Sequence, residues 1–338
     1  MCKKILAFGE VMMRLQVPGH ELLQQASTLN YSFSGTGVNI ASSLARFGHK
    51  GYLMTSLPEN AIGDAAVSSL QKLGINPSFI HRGGNFVGMY FLENGFGMRS
   101  SRVTYTNRKE SSFNTATEEV YHFTEAAKQI DIVHFCGITL AMNDHVRKQM
   151  KDFANAVKES GGKVVFDCNY RPLHWGENGY EKAKPHYEEM LLLADIVMMN
   201  EKDAMLVLGV HTEKLDRAEQ LMDLIPVVAQ KYDIDVIAGT HRYINEDNSH
   251  SLQGYMYKDQ TFTFSEVKRF PVLDRIGSGD AYTSGIIHGE SKKFPPEKSV
   301  AFAVAAGMLA HSVIGDTPLS TEGEVLRAMT ESVGDIER

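Results

Sequence analysis

The chain has 338 residues, with 34 Lys and Arg against 41 Asp and Glu, and its formal net charge of −7 excludes a basic nucleic-acid binder on bulk charge. At 43% hydrophobic and 22% charged residues the composition is globular, and a chain of this length buries roughly three quarters of its unfolded surface without help from disulfides or metals. The longest run of apolar residues and glycine, Val300 to Ala310, is about half of the roughly 20 residues that a membrane helix needs, so no membrane partner is expected.

The opening Lys3-Lys4-Ile5-Leu6-Ala7-Phe8-Gly9 reads as a first β-strand rather than an export signal, because Glu10 interrupts the apolar run. Cys2, Cys136 and Cys168 are an odd set with no CxxC spacing, which points to reduced thiols and a cytoplasmic protein. The histidines are scattered. His20-Glu21 is no zinc-protease motif, because Gln24 stands where the second His must be.

Further along, short apolar runs alternate with amphipathic stretches that end in glycine, the pattern of strands and helices in a parallel sheet. Strands are expected at Ile5 to Met13, Gly51 to Leu57, Ile132 to Phe135, Lys163 to Phe166, Ile196 to Met199 and Val236 to Ala238, each apolar enough to be buried on both faces. Helices are expected around Val38 to Phe47, Gly63 to Leu73, Asp144 to Ser160, Ala183 to Leu193 and Arg217 to Lys231, with Gly48, Gly74 and Gly161 as stops. The order implies one α/β domain over 1–338, a doubly wound and mostly parallel sheet with helices on both faces. Two stretches, approximately 14–34 and 86–110, break the rhythm with alternating and aromatic residues, and short antiparallel strands forming a small β lid are expected there.

The most informative string is Asp274-Arg275-Ile276-Gly277-Ser278-Gly279-Asp280, which runs directly into a helical pattern. Small residues at a helix start let backbone N–H groups converge on an anion, where the helix dipole adds about 0.3–1 kcal/mol. Asp280 beside such a hole makes sense if it touches a hydroxyl that attacks phosphorus. The string alone fits a plain tight turn, with Asp280 as cap, equally well. Other nucleotide motifs are absent: Gly162-Lys163 lacks the rest of a P-loop, Ile40 stands where a dinucleotide fingerprint needs glycine, and no GxSxG occurs.

Together these residues resemble the ribokinase-like (PfkB) carbohydrate kinases over essentially the whole chain. Gly35-Thr36-Gly37-Val38-Asn39 followed by Leu44 to Gly48 is similar to that family's first signature, and DRIGSGD is similar to its DTxGAGD motif. Asp167-Cys168-Asn169-Tyr170-Arg171 matches its DxNxR strand end, and Asn200-Glu201-Lys202-Asp203 its NxxE motif. The resemblance implies Asp280 as catalytic base and Gly277, Ser278 and Gly279 as anion hole. It further implies ATP on Asn200, Asp203, Gly239, Thr240, Ser278, Gly279 and His311, Mg²⁺ reached by Asp203 through water, and a monovalent cation beside Asp274. Asp203 replaces the usual Glu, Arg275 the usual Thr and Ser278 the usual Ala, and the strand from Val236 lacks the family's loop glycine.

Within the family the chain is most similar to the 2-keto-3-deoxygluconate kinases, through Gly9-Glu10-Val11-Met12-Met13-Arg14-Leu15 and Leu309 to Asp316. That likeness implies sugar binding by Gly35, Asn39, Tyr90, Tyr105, Arg108, Asn169, Arg171 and Asp280, phosphorylation at the C6 hydroxyl, and a homo-oligomer. Charge supports it: a chain of net charge −7 needs local cations for an acid sugar, and the fork of Arg108 and Arg171 suits a carboxylate. A kinase of a neutral sugar, and a non-catalytic sensor on the same fold, are the alternatives.

Overall fold

The structure, a computed structural model, describes residues 2–330. In chain order its strands are β1 (Lys4–Phe8), β2 (Met12–Gln16), β3 (Asn30–Ser34), β4 (Lys50–Leu57), β5 (Ile80–Arg82), β6 (Gly88–Glu93) and β7 (Arg102–Thr106). They continue with β8 (Ile132–Cys136), β9 (Lys163–Asp167), β10 (Ile196–Met198), β11 (Val236–Ile244), β12 (His250–Lys258), β13 (Thr261–Phe264) and β14 (Lys268–Phe270). The main sheet has the order β13-β12-β11-β10-β9-β8-β1-β4-β5, with β14 on β12. Pairs from β11 through β5 are parallel, and those among β11 to β14 antiparallel. This is the ribokinase-like α/β fold, helices flanking a mostly parallel sheet.

Alternation along β1 shows why the sheet is double-faced. Leu6 and Phe8 enter one core with Phe135, Phe153 and Phe166, while Ile5 and Ala7 enter another with Val165, Ile286 and Phe302. Successive side chains of a strand point to opposite faces, so a strand covered on both must be apolar throughout. Several helices start where polar side chains accept their free N–H groups, as Asn60 does before Ala61–Lys72, Asn143 before Asp144–Glu159 and Asp216 before Arg217–Tyr232.

Three expectations need correction. The run Ile5 to Met13 is two strands. Between them Glu10 is buried and held by Arg108, Ser111 and Asn114, and the chain leaves the main sheet for a second one. That lid sheet, ordered β3-β2-β6-β7, is not wholly antiparallel: β2 and β6 run parallel, with Arg14 opposite Tyr90. The pairing is allowed because the chain between β2 and β6 passes back through the main sheet, long enough for a crossover. Finally, the strand beginning at Val236 extends to Ile244, because all nine of its residues pair with β12.

No helix among the described residues is long and apolar enough to cross a membrane, and Cys2, Cys136 and Cys168 are all free thiols. Phe153 is fully buried among Phe8, Phe123 and Phe135. Phe153→Ala should therefore cost about 3–5 kcal/mol, read as a lower denaturation midpoint at unchanged slope.

Candidate active site

Where the parallel strands end, the chain must turn, and these turns collect polar side chains at one edge of the sheet. A cleft of about 1330 Å³ opens there, between the strand ends and the lid. Asp167 reaches it from the end of β9, Asn200 and Asp203 from beyond β10, Gly239 and Thr240 from β11, and Tyr90 and Tyr105 from the lid.

Gly277 makes the turn that opens the helix on the cleft wall. It caps the helix Ser278–Lys292 with a φ of 81°, and a Cβ there would fall 1.7 Å from the Asp316 carbonyl oxygen, so both conformation and space require glycine. Gly279 meets nothing within 4 Å, which leaves its backbone open to the cleft. The first N–H groups of this helix have no partner within it, and Gly277, Ser278 and Gly279 line the cleft, an arrangement suited to an anion.

Asp280 stands in the first turn of the same helix, 8% exposed, and its Oδ2 accepts a hydrogen bond of 2.7 Å from Asn39 Nδ2. Burial pushes its carboxyl up to about 7 against the lowering influence of Asn39 and Arg171. A carboxyl with that affinity is balanced near neutral pH between holding and releasing a proton. Asn39 is itself fixed on the helix Thr36–Arg46, where Thr317 Oγ1 donates to its Oδ1 over 3.2 Å. Gly35 precedes that helix with a φ of 152°, and a Cβ on it would lie 2.4 Å from the Glu10 carbonyl oxygen.

Of the other carboxylates on the cleft wall, Asp167 and Asp203 also hold their protons tightly. Burial, then the charge of Asp280, raises Asp167 to about 8. Burial also raises Asp203 to about 6, although its Oδ2 accepts the Asn200 N–H at 3.0 Å. The cation facing this trio is Arg171, whose charge lowers all three. Its own hydrogen bond goes to the Tyr170 carbonyl at 3.1 Å, and it forms no ion pair among the described residues, so the guanidinium remains available to a ligand. Asn169, at a left-handed φ of 32°, turns the chain between Asp167 and Arg171.

The structure brings Gly35, Asn39, Tyr90, Tyr105, Asn169, Arg171, Asn200, Asp203, Gly239, Thr240, Gly277, Ser278, Gly279 and Asp280 to one cleft. Two expected residues are placed elsewhere. Arg108 is 8% exposed and turned from the cleft wall, with Nε on Glu10 Oε2 at 2.9 Å and NH1 on His174 at 3.0 Å. A buried carboxylate claims a guanidinium that the sequence alone leaves free. His311 is 1% exposed, bonded through Nδ1 to the Gly307 carbonyl at 2.7 Å and packed on Phe270 and His250; among the histidines toward that end, His250 reaches the wall instead.

A guanidinium stands beside Asp274, where the resemblance implies a monovalent cation. The Arg14 guanidinium lies 2.9 Å from Asp274 Oδ2 and pairs with Asp316 as well. Arg14 is 1% exposed. Sequence reasoning missed it as a site residue, although a lone Arg in the apolar alternation of Val11 to Leu15 was a signal.

Glu201, read only as part of a motif, is fully buried between Arg217 and His241. Burial opposes its charge, yet hydrogen bonds from His241 and Arg217 hold its carboxyl at about 2. Arg217 thereby becomes a fixed cation on the cleft wall near Asn200 and Thr240. Arg242 and Arg275 line the same end and form no ion pair among the described residues. Among the described residues no cluster of three or more His, Cys, Asp or Glu could hold a metal. A divalent ion fits here only if a ligand's own oxygens complete its shell.

Free N–H groups at a helix start, an adjacent buried carboxylate and several guanidinium groups on one cleft wall together suit transfer of a phosphoryl group to a hydroxyl. The comparisons with known proteins agree. The pfkB family carbohydrate kinase profile matches residues 3–322. A chain from Enterococcus faecalis, solved as a candidate 2-keto-3-deoxygluconate kinase, superposes with a TM-score of 0.95 at 37% identity, covering 99% of both chains. The 2-dehydro-3-deoxygluconokinase of Thermotoga maritima gives a TM-score of 0.92 at 30% identity, over 97% of this chain and 98% of its own. The 2-dehydro-3-deoxygalactonokinase of Haloferax volcanii is 24% identical over 100% of both chains. On this profile match and these geometries, the chain belongs to the pfkB family of carbohydrate kinases.

Proposed function

We propose that this kinase transfers the γ-phosphoryl group of MgATP to the C6 hydroxyl of 2-keto-3-deoxygluconate. The observation that carries the reading is the cleft's charge pattern. One unpaired guanidinium, Arg171, faces the base Asp280 across the sugar end, where a substrate must bring a negative group to gain from it. Tyr90 and Tyr105 supply the opposite wall from the lid. The names of the Enterococcus faecalis and Thermotoga maritima relatives support the same substrate class.

In this mechanism Asp280 accepts the hydroxyl proton as the C6 oxygen forms its bond to the γ-phosphorus, and the bond to the β,γ-bridging oxygen breaks to release ADP. The N–H groups at Gly277, Ser278 and Gly279 receive the charge that develops on the transferred group. Magnesium, when bound, would neutralise phosphate oxygens, and Asp203 would hold it through water. Arg217, Arg242 and Arg275 attract the remaining negative charge of the nucleotide. The lid excludes water from the transferred group, which limits hydrolysis.

A second reading has a specific finding behind it. The full-length match to a 2-dehydro-3-deoxygalactonokinase favours acceptance of the C4 epimer by the same cleft.

Two tests follow. Asp280→Asn keeps the shape and loses the base, so turnover should fall by about 10²–10⁴-fold while nucleotide affinity stays within about twofold; near-normal turnover would remove Asp280 from its role. The second is ADP release over both epimeric 3-deoxy keto acids, fructose, ribose and adenosine, with wild type and Arg171→Ala. Keto acids should be the substrates, and the variant should raise their KM at least about tenfold, the worth of a charge-assisted pair. Turnover of neutral sugars, or equal effects on acid and neutral substrates, contradicts the carboxylate role of Arg171.

A further inference from the structure

We infer that Arg14 is a positioning residue that builds the anion hole, by locking a lid strand to both loops that flank Gly277. Arg14 sits at the centre of β2, opposite Ser32 on β3 and Tyr90 on β6, yet is only 1% exposed. Its guanidinium spans two carboxylates from distant parts of the chain. Asp274 Oδ2 lies 2.9 Å from NH2, Asp316 pairs with NH1, and Gln16 Oε1 accepts from NH2 at 2.6 Å.

Each carboxylate in turn shapes the loop that carries it. Asp274 accepts the Ile276 N–H at 3.2 Å and reaches across to the Gly315 N–H at 3.3 Å, so it closes the turn into Gly277 and ties it to the loop before Asp316. Asp316 accepts from Tyr90 Oη, and its backbone carbonyl packs directly over Gly277. The next residue, Thr317, donates to Asn39, which donates to Asp280. A continuous set of ion pairs and hydrogen bonds therefore runs from the lid through both flanks of the hole to the base.

The burial makes the arrangement stiff. A guanidinium fork in place between two desolvated carboxylates has few alternative geometries, and each carboxylate would be left uncompensated without it. A hole held this way is formed before the substrates arrive, which is what electrostatic preorganisation requires. The lid strand is thus part of the catalytic scaffold at its root, and only its more distant parts are free to open.

The test pairs kinetics with amide hydrogen exchange. Arg14→Lys keeps the charge and loses the fork. It should lower kcat about 10–100-fold, the scale of a small misplacement of catalytic groups, with KM for ATP within about twofold and faster exchange at residues 275–279. Arg14→Ala should regain at least about tenfold in kcat with added guanidinium, as a vacated fork site would. Wild-type kcat and exchange in Arg14→Lys would overturn the inference. So would a lowered melting temperature with unchanged specific activity of the folded fraction. If Arg14→Ala does not fold, the exchange pattern of Arg14→Lys decides. The kinetic arm rests on the kinase reading above, but the exchange arm does not. Wild type inactive on every keto acid, with residues 275–279 still loosened in Arg14→Lys, would sink the substrate reading and leave this one standing.

Discussion

One hydrogen bond of 2.7 Å, from Asn39 to Asp280, joins residues 241 positions apart, and the site depends on it. The first helix and the helix that bears the anion hole approach each other only because the main sheet brings β1 and the C-terminal helices onto one face, with Ile40, Leu44, Ile286 and Phe302 in one core. That core fixes where Asn39 and Asp280 stand. The bond then sets how readily the buried carboxylate keeps its charge, because burial alone would leave it protonated. Fold, packing and proton affinity meet at that contact.

The cleft wall carries both signs of charge. Arg171 lowers the proton affinity of Asp167, Asp203 and Asp280 together, whereas Arg217, Arg242 and Arg275 line the same cleft, Arg217 paired with the buried Glu201 and Arg275 next in the chain to Asp274. In a chain of net charge −7 the global field is unfavourable to a polyanion, and local guanidinium groups outweigh such a field at short range. Burial gives the acidic trio high proton affinities, and one cation shared among three groups cannot cancel that for all of them.

Much of this was legible in the sequence, for physical reasons. Doubly buried strands announce themselves as unbroken apolar runs, so β4, β8, β9 and β10 were read to within a residue or so at each end. The GSG turn was legible because only glycine fits Gly277's φ and its contact with Asp316. Other features were hidden because they depend on partners far along the chain. Arg108 reads as a free cation until Glu10, 98 residues away, is seen to claim it. His311 reads as a ligand until Phe270 and Gly307 are seen around it. The parallel pairing of β2 with β6 likewise follows from the path of the chain, not from local alternation.

The central claim is that a buried Asp280, held in check by Asn39, is the base that limits the reaction. The most direct measurement is kcat/KM for the sugar against pH in wild type and Asn39→Ala. Only the ionised carboxylate accepts a proton, so wild-type activity should rise with pH through a midpoint near 7, the affinity that burial gives Asp280. Loss of the donating amide disfavours the charged form, so the midpoint in Asn39→Ala should move to higher pH. A flat wild-type profile, or a midpoint that stays or moves down in the variant, would contradict the account.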